Sequence, residues 1–241
     1  MPESSRPSRP APADSSTAQA SVRPAGGRLR GVITDWGGVM TNPIAETMNA
    51  WLEADGIDKA SYAAVIRPWL AQAYDGGAGV SPVHLLERGE CADEEFERQL
   101  AARLVRFDGQ PVAAAGLLAR MFAATILDQA MLGLMRALRG SGVRTALLSN
   151  SWGGTAYPRE LFSEMFDAVV ISAEVGMRKP EERIFRHAAG LLGLAPDECV
   201  FIDDIEANVL AAEALGLVGV RHEDARMTAG LLAGLLGVAL P

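Results

Sequence analysis

The chain has 241 residues and a formal net charge of −8, so it is long enough for one large domain, or for a core domain with a modest insertion. The acidic balance argues against a protein that binds nucleic acid or an anionic membrane, because both surfaces attract clustered Lys and Arg. The two cysteines, Cys91 and Cys199, lack the spacing of a zinc site or a disulfide framework, which favours a cytoplasmic protein.

The first half of the chain contains one predicted strand and a long helical segment. Residues 1–27 are rich in Ser, Pro and Ala without an apolar run, so they are predicted to form a disordered tail rather than a signal peptide. The apolar run GVITD, 31–35, predicts the first strand. Residues 44–126 are rich in Ala, Leu and Glu and contain no convincing strand. They predict an inserted α-helical cap subdomain, placed where a lid would cover a ligand.

From residue 144 onward, apolar runs alternate with helical patterns. Runs that are apolar throughout and separated by helices predict a parallel sheet covered on both faces. The fold class is therefore α/β, a Rossmann-like parallel sheet flanked by helices, with 28–43 and 127–241 as the core domain. The terminal stretch TAGLLAGLLGVAL is too short to span a bilayer. The predicted strands are 145–149, 166–172, 199–203 and 217–221, with helices near 155–164, from Pro180 and from about 205.

Two helical stripes support these assignments. Leu127, Met131, Leu134 and Leu138 form the first stripe by their spacing. Ile184, Ala188 and Leu191 form the second, in the helix for which Pro180 is the expected first position.

Polar residues stand at the ends of the predicted strands. Asp35 ends the first strand, Ser149 and Asn150 the second, and Asp203 and Asp204 the fourth, while Lys179 follows the third. Because parallel strands end at one edge of a sheet, these groups are expected to meet in one crevice. A nucleophile, a hydroxyl and amide pair, one cation and a carboxylate pair together predict phosphoryl transfer with Mg²⁺.

The electrostatics of such a crevice explain why each group is needed. Three carboxylates in one pocket stay charged only if a cation neutralises them. A metal ion and Lys179 would also screen an incoming phosphate from Asp35, which could then form an aspartyl-phosphate. Of 22 basic residues 20 are Arg, and Lys occurs at 59 and 179 alone. A lysine at 179 therefore fits a place where a compact ammonium is required.

The four motifs DWGGVMT, SNSW, VGMRKP and FIDDIEAN resemble those of the haloacid dehalogenase-like hydrolases, over about 29–236. The second half is similar to the N-terminal phosphatase domain of soluble epoxide hydrolase. The resemblance implies that Asp35 is the nucleophile and Lys179 the charge-balancing cation, while Ser149 and Asn150 bind phosphate. It also implies a magnesium site with Asp204 as a direct ligand, the Gly37 carbonyl as another, and Asp203 and Asn208 acting behind them or through water.

One position departs from the family pattern. Most phosphatases of this family have a second Asp two residues after the nucleophile, where this chain has Gly37. That Asp is a general acid and base, worth typically 10² to 10⁴ in rate. Slow turnover of alkyl phosphates is therefore expected, with less effect on esters that have better leaving groups. His84 and Tyr74 of the cap are candidate replacement donors, and both, with Arg67 and Trp69, are candidate substrate contacts.

Three functions remain open from the sequence. The first is a Mg²⁺-dependent phosphatase acting on a small phosphorylated metabolite, with Trp36 and Trp152 flanking its crevice. The second is a 2-haloacid dehalogenase, against which the pair Asp203 and Asp204 argues. The third is a binding or regulatory protein weakened in catalysis by Gly37. The physiological substrate, transfer to a second acceptor as in a mutase, and assembly as a homodimer are left open.

Overall fold

A computed structural model of the protein describes residues 28–74, 81–153 and 157–240, so the predicted tail, 1–27, lies outside the described residues. Five parallel strands form one sheet in the order β3-β2-β1-β4-β5, which confirms the predicted parallel α/β fold. The first strand is central, so its end lies between the ends of two neighbours. The strands are β1 (Gly31–Thr34), β2 (Arg144–Ser149), β3 (Ala168–Ile171), β4 (Cys199–Asp203) and β5 (Val218–Arg221).

The sheet is buried on both faces because successive residues of each strand point to opposite sides. Val32 of β1 packs in one apolar cluster, and its neighbour Ile33 packs in another. Helices in the second half of the chain supply the other sides of both clusters. These helices are α6 (Gln129–Gly140), α7 (Phe162–Met165), α8 (Ser172–Val175), α9 (Glu182–Leu191), α10 (Glu206–Glu213) and α11 (Ala225–Leu236).

The segment between β1 and α6 is helical and has its own apolar core. Residues between Met48 and Met121 form a cluster separate from the two that cover the sheet. A separate apolar cluster in this segment supports the predicted division into a cap, 44–126, and a core domain, and the boundaries between them remain a prediction. The helices of this segment are α1 (Ile44–Ala54), α2 (Lys59–Tyr74), α3 (Pro82–Glu87), α4 (Asp93–Ala101) and α5 (Leu117–Met121).

Three details of the predicted elements are wrong. Pro180 is not the first helical position, because residues 178–181 form a turn closed by the Glu181 N–H on the Arg178 carbonyl, and α9 begins at Glu182. Leu191 is 50% exposed, since α9 ends there and Leu192 fills the core instead. The helix predicted over 155–164 is, within the described residues, a 3₁₀ turn over 159–161 followed by α7.

Within the described ranges, no helix has the length and apolar character needed to cross a bilayer.

Candidate active site

The register of the sheet brings the predicted site residues to one edge. Thr34, the last residue of β1, pairs with Leu147 of β2 and Ile202 of β4. Asp35 follows directly, and its N–H donates to the Ile202 carbonyl at 2.8 Å. One cavity of about 470 Å³ lies at this edge, and the predicted site residues that line it are Asp35, Ser149, Asn150, Lys179, Asp204 and Asn208.

Lys179 joins two carboxylates at the bottom of this cavity. Its Nζ lies 2.7 Å from Oδ1 of Asp35 and 2.6 Å from Oδ2 of Asp203. Burial raises the pKa of Asp35 to about 8, although Lys179 opposes this shift, and the two other aspartates add to it. Burial disfavours the charged ammonium, but the carboxylates outweigh it and raise the pKa of Lys179 above its ordinary range. The lysine is therefore a permanent positive charge beside Asp35.

Three carboxylates form a potential metal site. Asp35, Asp203 and Asp204 each offer one oxygen, and these oxygens lie within 4.8 Å of one another. Burial and the charge of Asp203 raise the pKa of Asp204 to about 6. Such crowding of negative charge is relieved by a bound cation, and an all-oxygen donor set suits a hard divalent ion.

An amide oxygen of Asn208 that is unpaired among the described residues is also consistent with a cation site. The Nδ2 of Asn208 donates to both carboxylate oxygens of Asp203, at 3.2 and 3.1 Å. Its Oδ1 is buried and has no hydrogen-bond partner in the described part of the chain. Asp203 also accepts from the Ile205 N–H and from Lys179. Asp203 is thus largely engaged by protein donors, which agrees with a role behind the direct ligands.

Gly38 lets the chain turn next to this cluster, and Gly37 precedes it. Gly38 has φ of +77°, and a Cβ there would lie 2.4 Å from Oδ2 of Asp204. Gly37 lines the cavity, and a Cβ built on it would lie 3.0 Å from Cδ1 of Ile44. Gly37 therefore faces an apolar side chain of α1.

Asn150 has a positioning role that the sequence did not reveal. Its Oδ1 accepts from the Lys179 N–H at 2.8 Å, and its Nδ2 donates to the Lys179 carbonyl at 3.0 Å. The amide thereby fixes the backbone of the residue that holds Asp35. Its predicted contact with phosphate stays a prediction.

Ser149 is paired with a residue that sequence reasoning missed. Its Oγ lies 2.9 Å from the hydroxyl of Tyr157, and both residues line the cavity. Burial raises the pKa of Tyr157 to about 12, so the phenol stays protonated. Tyr157 follows the SNSW motif closely, but nothing in its position distinguishes it from a packing aromatic residue.

The cap residues that line the cavity differ from those considered in the sequence. Trp36 and Trp152 do line it, as expected of residues that flank the crevice. Arg67, Trp69 and His84 are not among the described residues lining the cavity, and the side chain of Tyr74 lies outside the description. The cap contributes the following residues instead: Ile44, Met48, Tyr62, Ile66, Leu70, Glu87, Phe122 and Thr125.

A buried ion pair connects the cap to the core beside Lys179. Oε2 of Glu87, in α3, accepts from Nε of Arg178 at 2.5 Å, and both side chains are at most 2% exposed. Oε1 of Glu87 accepts from Nε1 of Trp152 at 3.1 Å. Burial raises the pKa of Glu87, while Arg178 opposes the shift. The pair therefore ties the cap to the loop that carries Lys179.

Known proteins share this chain's sequence pattern. The sesquiterpene phosphatase astK of Aspergillus oryzae is 30% identical over 154 residues, which cover 63% of this chain and 77% of that protein. The bifunctional epoxide hydrolase 2 of Rattus norvegicus is 28% identical over 132 residues, which cover 52% of this chain and 24% of that protein. This chain thus spans about a quarter of the epoxide hydrolase.

Solved structures share the fold at low identity. A HAD family enzyme of Bacteroides thetaiotaomicron, in complex with magnesium and inorganic phosphate, matches with a TM-score of 0.54 and 21% identity, covering 81% of this chain and 94% of that chain. Two dehalogenase structures also match, at 17% and 15% identity with TM-scores of 0.57 and 0.59. Fold alone therefore does not separate a phosphatase from a dehalogenase.

The family assignment comes from the sequence. A family model described as haloacid dehalogenase-like hydrolase matches residues 29–216. This match confirms the resemblance carried by the four motifs, and the chain belongs to the haloacid dehalogenase-like hydrolases.

Proposed function

We propose that this protein is a Mg²⁺-dependent phosphatase that hydrolyses a small phosphorylated metabolite through an aspartyl-phosphate intermediate. One observation carries the proposal: Asp35, Asp203 and Asp204 converge within 4.8 Å, and Lys179 bridges two of them. This arrangement concentrates negative charge where a cation and a phosphate group can bind together. The phosphatase named among the relatives supports the same reaction class.

The side chains divide the chemistry between them. A carboxylate oxygen of Asp35 attacks phosphorus while the bond from phosphorus to the ester oxygen breaks, so that the aspartyl-phosphate forms and the alcohol leaves with a proton taken from water. Water then attacks phosphorus and returns Asp35 and inorganic phosphate. The Lys179 ammonium offsets the charge that builds up on the transferring group, and the hydroxyl of Ser149 donates to one of its oxygens.

The proposed direct ligands of Mg²⁺ are Asp35, Asp204 and the carbonyl of Gly37. Asp203 and Asn208 would orient these ligands or bind the ion through water. When bound, Mg²⁺ supplies positive charge beside the phosphate oxygens. The free Oδ1 of Asn208 and the crowded carboxylates fit such an ion. A HAD family enzyme with the same fold was solved with magnesium and phosphate.

Phosphate release from an aryl phosphate tests the proposal. We expect release that requires Mg²⁺, stops with EDTA and is lost in Asp35→Asn. Halide release from a 2-haloacid in EDTA would instead identify a dehalogenase. Binding of a phosphonate without any turnover would identify the catalytically weakened alternative.

A further inference from the structure

The cavity has two chemically different sides. Charged and hydrogen-bonding groups lie at the strand ends, where Asp35, Lys179 and Asp204 meet. The opposite side comes from the cap and is largely hydrocarbon. Its apolar contributors are Ile44, Met48, Ile66, Leu70 and Phe122.

Polar groups on the cap side are few. Both carboxylate oxygens of Glu87 already accept from Trp152 and Arg178. Among the described cap residues that line the cavity, Tyr62 and Thr125 add two hydroxyl groups, and the hydroxyl oxygen of Thr125 is buried. A sugar or nucleoside with several hydroxyls would lose its water here and regain few hydrogen bonds, which disfavours its binding.

The neighbourhood of Gly37 continues this apolar side. A Cβ on Gly37 would meet the end of Ile44 at 3.0 Å, so hydrocarbon also adjoins this position next to Asp35. Ile205, beside Asp204, also lines the cavity and is 39% exposed. Hydrocarbon therefore surrounds the phosphate-binding groups on the cap side and beside the cluster.

We propose that the substrate is a phosphate monoester of a bulky apolar alcohol or phenol, whose hydrocarbon part lies against the cap. The inference rests on the proposed phosphatase function and adds the class of leaving group. The volume of about 470 Å³ lies in the range of about 300 to 1,000 Å³ typical of cavities that enclose a whole small ligand. The phosphate then occupies the strand ends, and the cap selects by burial of apolar surface.

A matched series of aryl phosphates tests this class. The 4-methyl, 4-ethyl, 4-propyl and 4-butylphenyl phosphates have phenols of nearly equal acidity, so differences in kcat/KM report contact rather than leaving-group chemistry. We expect a rise of up to about fourfold for each methylene that becomes buried, and at least about tenfold over the series. A phenyl phosphate with an ether chain of equal length should gain much less.

The outcomes separate this inference from the proposed function. Absence of Mg²⁺-dependent phosphate release from every ester would overturn the phosphatase itself. Release that is equally fast for all chain lengths, or for the ether, would leave the phosphatase intact and overturn the apolar class.

A variant pair locates the effect in the cap. In Leu70→Asn, the ratio of kcat/KM for the butyl ester to that for the methyl ester should fall about tenfold. The control Leu191→Asn changes an exposed leucine outside the cavity and should keep the wild-type ratio. Calorimetric binding of 4-butylbenzylphosphonate and methylphosphonate to the wild-type protein gives an answer even if Leu70→Asn does not fold. Equal affinities for the two phosphonates would contradict the inference.

Discussion

The Nζ of Lys179 lies 2.7 Å from Oδ1 of Asp35, and both groups are buried. A carboxylate with so little solvent keeps its charge only beside a positive partner. The same ammonium contacts Asp203 at 2.6 Å. Lys179 therefore opposes the protonation of the proposed nucleophile and fixes its position relative to Asp203.

Replacing Lys179 by Met should destabilise the metal-free protein. The change leaves two buried carboxylates without their partner, and breaking a buried pair costs about 3–5 kcal/mol. Urea unfolding in EDTA measures the loss, and added Mg²⁺ should reduce it because an ion that binds only the native state stabilises it. Lys59→Met is the matched control, since Lys59 is exposed. Equal effects of the two substitutions would contradict the structural role of Lys179.

Asn150→Ala should slow catalysis by releasing the backbone of Lys179. The substitution removes the two hydrogen bonds that hold residue 179, and a small displacement of a catalytic group costs up to about 10²-fold in rate. We expect kcat to fall by about tenfold or more. Asn49→Ala, at an exposed site on α1, should leave kcat unchanged. A rise in KM with kcat unchanged would indicate substrate contact by Asn150 instead.

Magnesium affinity should increase with pH between about 5 and 8. In the metal-free protein the pKa values are raised to about 8 for Asp35 and about 6 for Asp204, so at low pH both bind protons that a metal must displace. Affinity should therefore fall as pH drops through each value. Calorimetry in buffers of different ionisation enthalpy measures the released protons. In Asp35→Asn the dependence near pH 8 should disappear, whereas a pH-independent affinity would argue against these carboxylates as ligands.

Gly37→Asp should speed the hydrolysis of alkyl phosphates. A carboxyl group there could protonate the leaving oxygen, a contribution typically worth 10² to 10⁴. The end of Ile44 lies 3.0 Å from the new Cβ, so Ile44→Ala is combined with it to make room. We expect at least about a tenfold gain in kcat for the double variant. Gly37→Asn with Ile44→Ala has nearly the same shape without the acid, and an equal gain there would rule out proton donation.

Glu87→Gln should weaken the attachment of the cap. It leaves Arg178 buried opposite a neutral amide, and loss of one member of a buried ion pair costs about 3–5 kcal/mol. Chemical unfolding of this variant, compared with Glu90→Gln at an exposed position of the same segment, measures the difference. Identical stabilities of the two variants would show that the ion pair contributes nothing.

The strand-end residues were predictable because a parallel sheet converts sequence order into proximity. Once β1, β2 and β4 are recognised as strands, their register places Asp35, Ser149 and Asp203 at one edge. The roles of Asp35 and Lys179 in catalysis stay predictions. A single sequence therefore suffices to predict which polar side chains meet at the strand ends.

The cap side of the cavity could not be predicted in the same way. Ile66 and Leu70 have the helical spacing of core residues, and this spacing does not distinguish a cavity wall from a packed interior. The role of Glu87 depends on its ion pair with Arg178, which lies 91 positions away in the sequence and cannot be recognised from local spacing. For Leu191 the spacing was misleading in the opposite direction. It predicted a buried residue of the helical stripe, but α9 ends at this position.

The link between Glu87 and Arg178 also limits how this enzyme could be re-engineered. Because Arg178 precedes Lys179 directly, the contact that seats the cap belongs to the same few residues that carry the ammonium. A chimaera that combines this cap with another core domain would need Arg178 as well as α3. Without Arg178, the carboxylate of Glu87 would be buried at the interface of cap and core without its ion-pair partner. A change of specificity by exchanging caps therefore requires two transferred segments, the cap itself and the core loop that contains Arg178.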